Sequence, residues 1–133
     1  MTKLYFNISE FIHSDKAILH RINNVPDITS LDNLLNLIYY VLNPLRERIG
    51  KPIIITSGYR CKKLNEIVGG VPNSQHTTGE AADFVINGLK TAEIINLIQN
   101  TNIEYDQLIN EYNKWLHISY RKEKNRQQYI IYK

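Results

Sequence analysis

Apolar residues recur at helical spacing in residues 31–49. They fall three or four positions apart and form one stripe, which consists of Leu31, Leu34, Leu35, Ile38, Leu42 and Leu45. Ser30 is the predicted N-cap of this helix, and Gly50 is expected to end it. Because Pro44 lacks a backbone donor, we expect the helix to bend or restart near Leu42.

Two shorter segments also predict helices. Residues 91–99 place Ile94, Ile95 and Ile98 on one stripe, with Thr91 as the predicted cap. Residues 62–68 predict a short helix that stops at the pair Gly69-Gly70.

Five short β-branched or alternating runs predict strands, at residues 53–56, 81–86, 105–110, 115–120 and 128–132. The first is expected to be buried and to lead into a turn at Ser57-Gly58. In the second, alternation turns Ala82 and Phe84 towards the core and Asp83 to the opposite face. Residues 112–114 have the length of a hairpin connection, so Glu111 and Trp115 should approach each other across antiparallel strands.

Composition narrows the class of protein. The 133 residues are 43% hydrophobic and 22% charged, which predicts one globular α+β domain over residues 1–133. No apolar run is long enough to span a bilayer, and residues 1–10 lack the features of a signal peptide. Cys61 is the only cysteine, so no internal disulfide is expected.

The net charge of +3 is mild. Basic residues cluster only near the C-terminus, at Arg121, Lys122, Lys124 and Arg126. We interpret this run as a solvated loop, because no nucleic-acid recognition motif accompanies it. No nucleic-acid or membrane partner is therefore predicted.

Two histidines and an aspartate form the strongest candidate for chemistry. His76 and Asp83 are separated by a loop that bends at Gly79, and His117 shares a strand face with Trp115 and Ser119. Zinc accepts such nitrogen and oxygen ligands, and three protein ligands leave a fourth position for water. His117 can face the same cleft as Asp83 if their strands are neighbours. His13 and His20 are interpreted as ordinary histidines of the N-terminal helices.

The sequence resembles the zinc D-Ala-D-Ala metallopeptidase superfamily, which shares its fold with the zinc domain of Hedgehog signalling proteins. The resemblance is carried by residues 43–46, 55–60, 64–65, 69–70, 74–83, 106–109 and 115–117. Before about Leu31 it is loose, although Phe11, Ser14 and Ala17 fit the lead-in helix of the phage-type branch. It implies a small antiparallel sheet that carries the zinc site, with helices packed on one side.

The resemblance also implies roles for individual residues. His76, Asp83 and His117 would bind one zinc ion per chain. Arg60 would bind a carboxylate or carbonyl of the substrate, a role that suits its rigid multi-donor fork. The alternative for Arg60 is a surface ion pair with Glu66 or Glu80. Ser74 would hydrogen-bond the substrate or orient the loop.

The general base departs from the pattern of the better-known carboxypeptidases. They place an acidic residue three positions before the last zinc histidine, where this chain has Lys114. A lysine beside a divalent cation cannot readily accept a proton, so another carboxylate must serve. Glu111 is our candidate, similar to phage-type members; its alternative is a solvent-exposed hairpin residue. Glu80 and Asp106 are weaker candidates.

These features lead to a zinc peptidase that cleaves peptidoglycan stem peptides or cross-bridges next to a D-amino acid. A phage lysin or virion-associated enzyme would suit the short chain, which is expected to be a monomer unless part of a virion, and cytoplasmic until released to the wall. The first alternative is a zinc-stabilised binding module of the phage-tail type with little turnover. The second is a D,D-dipeptidase or carboxypeptidase that acts on soluble precursors.

Overall fold

Helices and strands alternate irregularly along residues 3–133, the part of the chain that the computed structural model describes. The α-helices are α1 (Ser9–Ile12), α2 (Asp15–Leu19), α3 (Ile28–Leu37), α4 (Asn43–Ile49), α5 (Lys62–Ile67) and α6 (Thr91–Gln99). The strands are β1 (Ile54–Ser57), β2 (Ala81–Val85), β3 (Gln107–Glu111), β4 (Trp115–Ser119) and β5 (Gln128–Tyr132). The predicted α+β class is confirmed.

The long amphipathic segment begins one turn earlier than predicted. Its N-cap is Asp27, whose carboxylate accepts a hydrogen bond from the Ser30 amide at 2.7 Å, so the prediction of Ser30 as the cap was wrong. The apolar stripe could not reveal this first turn, because Ile28 is 87% exposed.

A π-helical turn, Ile38–Leu42, precedes α4, which carries Pro44 in its first turn, and Gly50 ends the helix with a φ of 72°. The expected restart and stop are confirmed.

Two further details differ from prediction. Strand β1 is not buried: it lies at an edge of the sheet, where it pairs only with β2, and Ile54 is 40% exposed.

Helix α6 has Lys90 as its N-cap, and the Glu93 side chain accepts a hydrogen bond from the Lys90 amide at 3.0 Å. Thr91 is therefore the first helical residue and not the cap.

Within residues 3–133 the five strands form one sheet in the order β1-β2-β4-β3-β5. The pairs β1–β2, β2–β4 and β3–β4 are antiparallel, as expected, whereas β3 and β5 are parallel. Glu111 and Trp115 are direct partners across the β3–β4 hairpin, as predicted. The sheet is thus mixed, because β5 returns to the edge through a long connection instead of a hairpin.

One face of the sheet carries the core. Ala82, Phe84, Leu108, Leu116 and Ile118 are completely buried there, against the apolar stripes of α3, the π-turn and α6. Alternation along the strands turns the intervening residues to the other face, which borders a cleft. No helix within residues 3–133 is long and apolar enough to cross a membrane.

Candidate metal centre

Strand register sets the positions of two of the predicted ligands. Asp83 on β2 and His117 on β4 are direct partners across the antiparallel pair. Direct partners point to the same face of a sheet, so both side chains project into the cleft. Oδ1 of Asp83 lies 2.9 Å from Nδ1 of His117. The predicted condition, that the two strands be neighbours, is met.

A 3₁₀-helix, Gln75–Thr78, carries the third predicted ligand. The hydroxyl of Ser74 accepts a hydrogen bond from the His76 amide at 3.2 Å and so caps this turn. Gly79 then reverses the chain with a φ of 77°, and a Cβ at this position would collide with the backbone carbonyl of Ser30. Only glycine combines this conformation with so close an approach to α3.

The three side chains converge on one point. Nε2 of His76 lies 3.3 Å from Oδ1 of Asp83, and one ligand atom from each residue lies within 4.8 Å of the others. Zinc bonds of about 2.0–2.1 Å in a tetrahedron place ligand atoms about 3.3 Å apart. The donor set, two imidazole nitrogens and one carboxylate oxygen, therefore fits a zinc ion in both chemistry and size.

The surrounding hydrogen bonds orient these donors. Nδ1 of His76 donates to the carbonyl oxygen of Gly58 at 2.7 Å, which leaves the lone pair of Nε2 free to bind a metal. Burial by itself would raise the pKa of Asp83, but the neighbouring ring nitrogens of His117 and His76 outweigh burial and lower it. Asp83 is thus held as a carboxylate, the form that binds metal.

A cleft of about 890 Å³ opens over the three side chains. Glu111 lines it, half-buried, on the same strand face as Ile109, which pairs with His117. Burial raises the pKa of Glu111, and the negative charge of Asp83 raises it further. A carboxylate with a raised pKa is better suited to accept a proton near neutral pH than an ordinary glutamate.

The other candidates for a base lie elsewhere or are engaged. Lys114 lines a separate cavity, against Phe84 and α6. Glu80 also lines the cleft, but its carboxylate accepts a hydrogen bond from Thr78 and lies 3.4 Å from Nε of Arg121. Asp106 is completely buried. Of Glu80, Asp106 and Glu111, only Glu111 both lines the cleft and makes no such contact within residues 3–133.

Arg60 is held at the cleft by its own backbone. The Asn24 side chain donates to the carbonyl oxygen of Tyr59 at 3.0 Å and accepts from the Cys61 amide at 2.8 Å, and the Arg60 amide donates to the carbonyl oxygen of His76 at 3.0 Å. Burial lowers the pKa of Arg60, although the charge of Asp83 opposes this. Nε is buried with no hydrogen-bond partner within residues 3–133, and no ion pair to Glu66 or Glu80 forms there. Arg60 also lines the cleft, so its guanidinium is placed where a ligand would lie.

Asp106 has a role that the sequence did not reveal. Its carboxylate accepts hydrogen bonds from Nε, Nη2 and the backbone amide of Arg126 at 2.8–2.9 Å, and from Nε2 of Gln75 at 2.9 Å. These bonds, led by those of the Arg126 side chain, lower the pKa of Asp106 to about 2. Gln75 adjoins His76, so Asp106 ties the 3₁₀-helix to the chain before β5.

The basic run is accordingly not uniform. Arg121, Lys122 and Lys124 are exposed, as expected of a solvated loop, whereas the Arg126 side chain pairs with the Asp106 carboxylate.

Cys61 is a free thiol. His13 is exposed and pairs with Asp15 at 3.0 Å, and His20 is also exposed; neither belongs to the group of His76, Asp83 and His117.

The comparisons with known proteins agree with this geometry. A family model described as Peptidase M15 matches residues 4–119, which include the 3₁₀-helix and strands β1 to β4. No curated protein matches the chain significantly. The matched span covers most of the chain and contains all three converging side chains.

Proposed function

This chain belongs to the peptidase M15 family of zinc metallopeptidases, and from that premise we propose that it hydrolyses peptidoglycan next to a D-amino acid. The bond would lie in the stem peptide or cross-bridge, and the enzyme would be of the D,D-carboxypeptidase or endopeptidase type. A phage lysin or a virion-associated enzyme is the setting we propose. His76, Asp83 and His117 are the proposed ligands of one zinc ion.

The observation that carries the proposal is the convergence of Nε2 of His76, Oδ1 of Asp83 and Nδ1 of His117 beside an open cleft. Structural zinc sites are usually closed by a fourth protein ligand, whereas catalytic sites keep one position for water. Within residues 3–133, no fourth His, Cys, Asp or Glu side chain joins these three in one group.

The reaction divides the work between the cation and the protein. His76, Asp83 and His117 would hold a zinc ion, which would acidify bound water and polarise the scissile carbonyl. Glu111 takes the proton of the attacking water and passes it to the departing amine, which its raised pKa favours. Arg60 directs its unpaired donors at a carboxylate or carbonyl of the substrate and fixes the position of the peptide.

Purified zinc-loaded protein on isolated cell walls tests the proposal. We expect the wild type to release new amino groups, and mass analysis of the products identifies the bond. Glu111→Gln keeps the shape of the side chain but cannot accept the proton, so the rate should fall by about 10²–10⁴-fold with zinc binding retained. Glu66→Gln, which alters a carboxylate outside the cleft lining, is the matched control and should keep the wild-type rate.

Three results would overturn the proposal or part of it. Absence of amino-group release from walls and from soluble stem peptides, with zinc bound at one ion per chain, would favour a binding module. Retention of the wild-type rate in Glu111→Gln would leave hydrolysis standing but would remove Glu111 as the base. Release from soluble precursors alone would identify the precursor-cleaving alternative.

A further inference from the structure

Two tyrosines that the proposed reaction does not use border the metal cleft. Tyr112 lies in the turn between β3 and β4, and Tyr132 ends β5; both rings line the cleft. Tyr112 is 53% exposed and Tyr132 is 44% exposed. Their ring centroids are 6.1 Å apart with 29° between the planes, so the rings are offset and form one stepped surface. We call this pair the tyrosine shelf.

The backbone that carries Tyr112 has an unfavourable conformation. Tyr112 and Asn113 both have a φ of 59°, and the Lys114 amide donates to the carbonyl oxygen of Glu111, which defines a β-turn with positive φ at both central residues. Such turns favour Asn, Asp or Gly at both central positions, and a tyrosine there costs about 1 kcal/mol. The Tyr112 amide also donates to the carbonyl oxygen of Tyr132 at 3.1 Å, which holds the backbones that carry the two rings side by side.

The shelf and Arg60 lie at opposite corners of the cleft. Tyr132 pairs with Glu111, two residues along the strands from the level of His117, on the β5 side of the sheet. Arg60 follows the opposite end of β1, beyond Ser57, which pairs with Asp83. Strand spacing of about 4.8 Å places β5 roughly 14 Å from β2. A ligand that reaches both corners must pass over the metal centre.

The two corners differ in chemistry. Arg60 offers cationic donors that suit carboxylates, which the stem peptide carries. The shelf offers aromatic faces, whose negative charge attracts the polarised C–H groups on the flat face of a pyranose ring, with phenol hydroxyls at the edge for sugar hydroxyls. Peptidoglycan combines these two chemistries in one molecule, because its stem peptides are attached to amino sugars.

We propose that the tyrosine shelf is a saccharide subsite, which binds the amino sugar that carries the stem peptide while Arg60 binds the peptide. This inference rests on the proposed function and names the part of the substrate that the cleft recognises beyond the peptide. It makes the enzyme selective for stem peptides that still carry their sugar.

The test compares a disaccharide-linked stem peptide with the same stem peptide without sugar, using zinc-loaded protein. The wild type should cleave the sugar-bearing peptide with a kcat/KM about tenfold higher, the size expected of one aromatic contact. Tyr112→Gly and Tyr132→Ala should bring this ratio close to one, and Tyr112→Phe should keep most of it. Tyr39→Ala removes an exposed tyrosine that lies outside the cleft and should leave the ratio unchanged.

A stability measurement distinguishes binding from a structural role. Glycine relieves the positive φ at position 112, so Tyr112→Gly should not lower the melting temperature. Loss of stability without a change in the ratio would overturn the proposal, as would equal cleavage of the two peptides by the wild type.

A second readout does not depend on turnover. Titration of the peptide-free disaccharide should change the fluorescence of Trp115, the only tryptophan, which lines the same cleft, and the change should disappear in Tyr112→Gly. If the wild type cleaves neither peptide, the proposed hydrolysis fails. The titration still decides the subsite, because no saturable change at Trp115 would rule it out.

Discussion

The proposed metal centre joins two regions that are held in different ways. Asp83 and His117 lie on adjacent central strands, where the hydrogen-bonded ladder sets their register. His76 lies on a single 3₁₀ turn, which depends on contacts with Ser74, Gly58, Asp106 and the backbone of α3. The strand pair is fixed by regular structure, whereas the loop is fixed by a few particular groups. Substitutions far from the metal should therefore weaken zinc binding by disturbing the loop.

Removal of a ligand from the strand pair or from the loop should have the same large effect on zinc binding. We expect His117→Ala and His76→Ala each to weaken zinc binding by more than about 100-fold, because outer-shell changes alone reach that size. Metal analysis after dialysis should find far less than one ion per chain, and hydrolysis should be lost with it. His13→Ala, at an exposed histidine outside the centre, is the control. Full zinc occupancy in either ligand variant would contradict the assignment.

The next largest effect should come from Gly79, which allows the loop to lie against α3. Gly79→Ala combines a φ of 77° with a collision against Ser30, and we expect it to lower the free energy of unfolding by about 2–3 kcal/mol and to weaken zinc binding. Urea denaturation and zinc titration measure the two effects.

Gly50 is the matched control for this change. Its φ is 72°, close to that of Gly79, but no atom lies within 4 Å of the Cβ that alanine would add. Gly50→Ala should therefore cost only about 1 kcal/mol and leave zinc binding unchanged. Equal effects of the two substitutions would show that the loop does not depend on its close approach to α3.

The same contrast explains what the sequence could predict. Alternation along residues 81–86 and 115–120 predicts that Asp83 and His117 face one cleft if their strands are neighbours, because a strand has a fixed period of two. The parallel pairing of β5 could not be predicted, since it depends on a connection with no local signature. The role of Asp106 in holding the loop has no local signature in the sequence, because its partners Gln75 and Arg126 are 31 and 20 residues away. The connection at residues 112–114 did carry a signal, since its length predicted the hairpin that pairs Glu111 with Trp115.

Asp106 provides the third test, in which the loop is disturbed without a change in any ligand. Asp106→Asn keeps the size of the side chain but turns an amide N–H₂ towards donors of Arg126 and Gln75. We expect the free energy of unfolding to fall by about 2 kcal/mol and the zinc affinity to fall by about tenfold. Isothermal titration with zinc measures the latter. Asp15→Asn, at an exposed carboxylate, should change neither quantity; unchanged zinc affinity in Asp106→Asn would show that this contact does not position His76.

The smallest expected effect is the pH dependence that Asp106 contributes. Its pKa is lowered to about 2, mainly by the hydrogen bonds of Arg126, from an ordinary value of 3.8. The folded protein therefore binds this proton less readily than the unfolded chain, so the carboxylate stabilises the fold above about pH 4, and the contribution is lost as the pH falls towards 2. Because the Arg126 side chain is 52% exposed and water screens the pair, we expect on the order of 1 kcal/mol.

The measurement is the difference in unfolding free energy between wild type and Asp106→Asn, made on zinc-free protein at pH 5 and near pH 2. Other carboxylates, including Asp83, titrate in both proteins, so their contributions cancel in the difference. The difference should shrink by the stated amount at the lower pH. A difference that stays constant would mean that the charge of Asp106 does not stabilise the loop, and that its hydrogen bonds act through shape alone.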